Sequence, residues 1–156
     1  MTREVRITRV FQAPRELVFK AWLEPDQVAA WFAPEQCEVP REGVDIDPRA
    51  GGRIQFSMID SESGAVIPVR FEIAEIVEPE LLVLESEPVP EWGLPNTMVT
   101  RVEFEVHREG TRLTVTQGPH TDEMLREAEA GWRGSLDKLE RLVESGEGGI
   151  RTRDGA

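Results

Sequence analysis

Tyrosine is absent from this 156-residue chain, cysteine occurs once and histidine twice. A single thiol, Cys37, can form neither an intrachain disulfide nor a cysteine-based metal cluster. Nothing in the sequence sets a histidine or base beside it, so an inert thiol is expected. The chain has no HExxH, no CxxC, no phosphate-binding glycine loop and no G-x-S-x-G. Gly51-Gly52 reads as a turn into a strand. Long apolar runs are missing as well. The longest aliphatic one, Leu81 to Leu84, falls far short of the roughly 20 residues of a membrane span. Arg3, Glu4, Arg6 and Arg9 interrupt any signal-peptide core at the start. Positive charge is scarce: 18 Lys and Arg stand against 30 Asp and Glu, a net charge of -12. Such a chain repels phosphate backbones and anionic lipid. The expectation is a cytoplasmic protein without metal or cofactor, binding neither nucleic acid nor membrane.

What is present is organised around one segment, Thr121 to Glu144. Leu125, Ala128, Trp132, Leu136, Leu139 and Val143 recur there at steps of three and four, one apolar stripe along a helix. Asp122 and Glu123 at its start and Lys138 and Arg141 near its end suit the helix dipole, and Gly146 is placed to stop it. Gly131 costs roughly 1 kcal/mol against alanine in a helix, so it permits a close approach, to a sheet or to a ligand.

The preceding chain reads mostly as strands. Residues 4–12 alternate, with Val5, Ile7 and Phe11 inward and Arg9 spoiling one inward position. Pro14 opens a helix expected to run to Leu23, and Pro25 ends it and opens a second, which Pro34 closes. From Cys37 to Gln117 the period is two. Ile54, Phe56 and Met58 alternate with polar neighbours, as do Val69, Phe71 and Ile73, then Val102, Phe104 and Val106, then Leu113 and Val115. That is an antiparallel sheet with one wet face. Arg70, Glu72, Arg101 and Glu103 on that face are expected to pair across strands. A rigid loop, residues 88–95, carries three prolines and Trp92.

Particular words punctuate this order: Ala13-Pro14 with Val18-Phe19 and Trp22, then Trp31-Phe32-Ala33-Pro34, then residues 47–53, DPRAGGR. They continue with the hairpin from Met58 to Gly64, Gly110-Thr111-Arg112-Leu113-Thr114, and Gly131-Trp132 followed by Leu136-Asp137-Lys138-Leu139. Over residues 4–144 the sequence resembles the START-like (SRPBCC) superfamily. The branch it looks most like is the bacterial one named after the activator of the heat-shock-chaperone ATPase, the AHSA-type domain.

The resemblance implies an α+β helix-grip fold: a curved antiparallel sheet of about six or seven strands wrapped around the long C-terminal helix, with two short helices after the first strand. A single domain would span residues 1–146, and residues 147–156 would form a disordered tail. It also implies a cavity between sheet and helix for a small hydrophobic or aromatic molecule. Phe56, Met58, Phe71, Phe104 and Trp132 would line it, with Trp31 and Trp92 near an opening. Plain core packing is the competing role for the phenylalanines. Cyclase-type relatives use tyrosine, histidine and arginine in the cavity, and the lack of tyrosine weighs against an enzyme. No catalytic residue is assigned; His120, before the long helix, is the one histidine placed near a cavity end, whereas His107 belongs to an exposed turn. The function expected is non-enzymatic binding as a carrier, sensor or sequestering factor. The alternatives are a chaperone accessory that stimulates a heat-shock-chaperone ATPase in a stress response, with no room for a separate N-terminal domain, and a polyketide cyclase-like enzyme. Mixed charge on the wet face points to a monomer or weak dimer.

Overall fold

A computed structural model describes residues 3–33, 36–88 and 97–144. The element order is β1 (Arg3–Phe11), α1 (Arg15–Lys20), α2 (Pro25–Trp31), β2 (Cys37–Glu38), a single 3₁₀ turn (Arg41–Gly43), β3 (Asp45–Ile46) and β4 (Arg53–Asp60). Then come β5 (Val66–Val77), β6 (Leu81–Ser86), β7 (Met98–His107), β8 (Gly110–His120) and α3 (Asp122–Glu144). Neighbouring strands run β1-β8-β7-β6-β5-β4-β2, with β3 also on β4, and every pairing is antiparallel. Six strands are long, as the alternation indicates, and β2 and β3 add two residues each at the β4 edge. The sheet curls around α3, which is the helix-grip arrangement. Pro34, Trp92, Gly146 and the tail 147–156 lie outside the described residues.

The inward positions build the core. Val5, Ile7 and Phe11 of β1, Ile54 and Phe56 of β4, Val102 and Phe104 of β7, and Leu113 and Val115 of β8 are all buried. The expected α1 is shorter than its apolar face, ending at Lys20. Its exit tightens into i→i+3 bonds, Trp22 N–H to Phe19 O (3.1 Å) and Leu23 N–H to Lys20 O (2.9 Å). Trp22 is thereby carried into the core, fully buried. α2 begins with Pro25 at its first turn, where a missing N–H costs nothing.

Two of the sequence words meet in space. Gly110, at φ +142°, opens β8 so close to the end of β1 that a Cβ there would sit 2.3 Å from Phe11 O and 2.7 Å from Ala13 N. The next residue, Thr111, is buried and donates its hydroxyl to Ala13 O at 2.7 Å. Glycine and threonine at these positions fix where α1 leaves the sheet. On the wet face the ion pairs differ from the expected set. Arg112 pairs with Glu105 across strands at 2.9 Å, Arg70 donates to Gln55 at 2.6 Å, and Arg101 approaches Glu103 along its own strand at 3.6 Å.

α3 is unevenly held. Its buried residues, Trp132, Ser135, Leu136, Leu139 and Val143, all lie from its midpoint onward. That part is also clamped to β1. Arg9, inward by register, reaches Asp137 at 2.7 Å and Glu140 at 3.7 Å, and Gln12 N–H donates to the Glu144 carboxylate at 2.8 Å. Partly exposed pairs of this kind contribute on the order of 0.2–1 kcal/mol each, so apolar packing dominates. Leu125 and Ala128, at the front of the same stripe, are only half-buried. Leu136→Ala should therefore cost about 2–5 kcal/mol in chemical denaturation. Leu125→Ala should cost under about 1 kcal/mol without ligand; equal losses would contradict this division of the helix.

Candidate functional site

Beneath the front half of α3 the curled sheet leaves a cleft of ≈ 220 Å³. Its floor is Phe56 and Met58 of β4 with Val69 and Phe71 of β5, neighbouring strands on one face. Phe32 and Ala33 after α2 close one side, and Glu127, Ala128, Gly131, Trp132 and Ser135 of α3 form the roof. Carbon dominates this surface. Among the described residues the roof supplies its only charged group, Glu127, and its only hydroxyl, Ser135.

Of the residues singled out in the sequence, Phe56, Met58, Phe71 and Trp132 come together on this cleft. Phe104 lies behind it, 1% exposed and edge-on to Phe19 at 5.0 Å between centroids. Trp31 is fully buried and donates its indole N–H to Ala21 O at 2.8 Å. Trp92 lies outside the described residues. The residue missed is Phe32. It caps α2 with φ -83° and ψ 63°, off the helical path. That turn sends the side chain after Trp31 to the sheet, where it meets Phe56 at 5.3 Å, Phe71 at 5.9 Å and Trp132 at 5.8 Å. Helical spacing alone could not show it. Gly131, whose partner was open between sheet and ligand, borders the cleft.

Trp132 joins the cleft to a polar cluster. One ring contact is a stack on Trp22 (5.9 Å, 26°). Its Nε1–H donates to Gln117 Oε1 at 3.0 Å, and Gln117 Nε2 donates to Thr100 Oγ1 at 2.8 Å. His120 Nε2 lies 3.1 Å from the same Gln117 oxygen. Indole N–H can only donate, so that atom must be the amide oxygen, and His120 Nε2 must carry its proton. His120 Nδ1 is then a bare acceptor, buried and without a hydrogen-bond partner. Burial pushes the His120 pKa below its ordinary 6.5. His120 therefore lies two hydrogen bonds from the cleft wall and is not part of the lining. His107 accepts the Glu109 N–H at its turn (3.1 Å).

Cys37 is buried, and its pKa is raised by that burial first, then by Asp60, with Lys138 opposing. A thiol so placed is a poor nucleophile. Asp45 and Asp47, two apart at the β3 edge, hold Arg53 and Arg49 at 2.8 and 2.9 Å. Among the described residues no group of three His, Cys, Asp or Glu side chains could hold a metal. No described helix is long and apolar enough to cross a membrane.

Residues 12–144 match the family described as activator of Hsp90 ATPase homolog 1-like protein. Similar solved structures include a crystal structure from Chromobacterium violaceum, 29% identical, with a TM-score of 0.79 over 90% of this chain and 96% of that one. A solution structure of a protein described as AHSA1-like, from Aeromonas hydrophila, is 22% identical, with a TM-score of 0.78 over 97% and 99%. A Nitrosomonas europaea protein gives 22% and 0.78 over 92% and 96%. The latter two likenesses speak to fold alone. No curated protein matches the chain.

The buried His120 carries a pH signature. The unfolded chain takes up a proton there near pH 6.5 and the native state only at lower pH, so His120's contribution to stability is complete above 6.5. It is lost as pH falls from 6.5 toward the depressed native value. Denaturant midpoints measured from pH 7.5 down to about 5.5 should fall, and His120→Gln should flatten that slope. An unchanged slope in the variant would remove His120 as its source.

Proposed function

The chain belongs to the activator of Hsp90 ATPase homolog 1-like family, and from that premise we propose that it holds one small hydrophobic or aromatic molecule in the cleft under α3. It does so without turning the molecule over, as a carrier, sensor or sequestering factor. The observation that carries this reading is the apolar stripe of α3, which continues through the half-buried Ala128 and Leu125 past its last fully buried position and overhangs an apolar hollow. An apolar cavity of about 150 Å³ stays dry and admits benzene. At ≈ 220 Å³ the cleft suits one substituted ring or a fused pair and is small for a sterol. The non-catalytic reading is supported by the lining, which offers one exposed carboxylate and one hydroxyl, eight residues apart on α3.

Thermal melts with naphthalene- and indole-sized neutral compounds test it. A ligand at a hundred times its dissociation constant adds about 2.7 kcal/mol, a rise of several degrees. Ala128→Phe, which fills the cleft from the roof, should keep the melt and abolish the rise. Flat melts across such compounds would overturn the reading.

The family's description also supports a second reading, a chaperone accessory, for which a net charge of -12 suits a basic docking surface. Retention on immobilised heat-shock chaperone at low salt, lost at high salt, is its expected result. Passage without retention would remove it.

A further inference from the structure

Four aromatic rings border the cleft: Phe32, Phe56, Phe71 and Trp132. Phe32 touches each of the other three, with centroids 5.3 to 5.9 Å away. Ring faces present negative electrostatic potential, and a cation within about 6 Å of a centroid is drawn to it. Among the described residues the one charged side chain on the lining is a carboxylate, Glu127. It is exposed, and it makes no ion pair among the described residues. The whole chain adds a net charge of -12. The rings and the one carboxylate of the described lining therefore act with the same sign.

The roof also gives the cleft a direction. Glu127, Gly131 and Ser135 are spaced four apart and lie in one column along α3. Glu127 stands in the half of α3 that has no buried residue, whereas Ser135 is 4% exposed. The carboxylate is thus at the mouth and the hydroxyl at the deep end, about 12 Å away at 1.5 Å per residue. Gly131 leaves the space between them free of side chain.

We propose that the cleft selects a hydrophobic cation: an aromatic ring carrying a quaternary or tertiary ammonium, with the ring packed under Gly131 and the charge at the Glu127 mouth. This rests on the hydrophobic-binding reading and adds the sign of the ligand's charge to it. A neutral ring gains the same burial but none of the attraction, and an anion meets repulsion from Glu127 and the ring faces alike. At the mouth the ammonium keeps part of its hydration, so desolvation does not cancel the gain.

Calorimetric titration with three probes of one shape tests the proposal: benzyltrimethylammonium, its neutral carbon isostere neopentylbenzene, and phenylmethanesulfonate. The cation should bind roughly 2- to 5-fold more tightly than the neutral isostere, the range of a solvent-exposed charge pair, and the sulfonate most weakly. Glu127→Gln should cut the cation-to-neutral ratio by about threefold, as should raising salt from about 20 to 500 mM. If the neutral isostere binds as tightly as the cation, charge selection is wrong while hydrophobic binding stands. If none of the three binds, both fall. A cation preference untouched by both Glu127→Gln and salt would also overturn the proposal, because the charge would then be read elsewhere.

Discussion

One helix cannot fill the trough that this sheet makes. Six long strands curl far enough to surround α3, and the apolar stripe of α3 spans nearly its whole length, but the core fills only the space under its second half. Leu136, Leu139 and Val143 are buried there, and Arg9 of β1 with Gln12 just after it tie down the outer side through Asp137, Glu140 and Glu144. The front half has no such floor. Closing it would require larger side chains at Gly131 and Ala128, and the sequence leaves those positions small. The cleft follows from that choice.

Trp132 marks the border between the two halves. Its ring stacks on Trp22, which also packs against Trp31, Phe32 and Phe104, so the cleft wall is continuous with the aromatic core. Its N–H is anchored by Gln117, whose other bonds run to Thr100 and His120. Buried polar groups are costly unless paired, and here one glutamine pairs an indole N–H, a hydroxyl and the Nε2 side of an imidazole together. The result is a wall whose orientation is set from behind, leaving the rings facing the cleft free of polar obligations.

Much of this was legible in the sequence. The strand–helix–helix–sheet–helix order and the span of α3 follow from alternation, from Pro14 and Pro25, and from the spacing of Leu125 to Val143; the grip around α3 is what the family resemblance implied. Four of the seven chosen site residues border the cleft, because strand parity puts Phe56, Met58 and Phe71 on one face and the stripe supplies Trp132. Parity gives a face and not a depth, so Phe104 could not be told from a lining residue although it is buried against Phe19 and Trp22, off the lining. Trp31 and Phe32 are adjacent, and only the non-helical angles at the α2 exit decide which of them reaches the cleft. The Gln117 cluster was hidden because its members are spread over β7, β8 and α3 and meet only through the register Thr100↔Gln117. Arg9, which looked like an error in an inward row, is the β1 anchor for α3.

The most direct test is amide hydrogen exchange along α3 in the presence and absence of a bound aromatic compound. The front half has no fully buried residue before Trp132, so its amides should exchange faster than those of residues 132–144 in the free protein. On binding, protection should rise across residues 122–131 and change little beyond Trp132. Uniform protection in the free state, or a ligand response confined to the second half, would contradict the account.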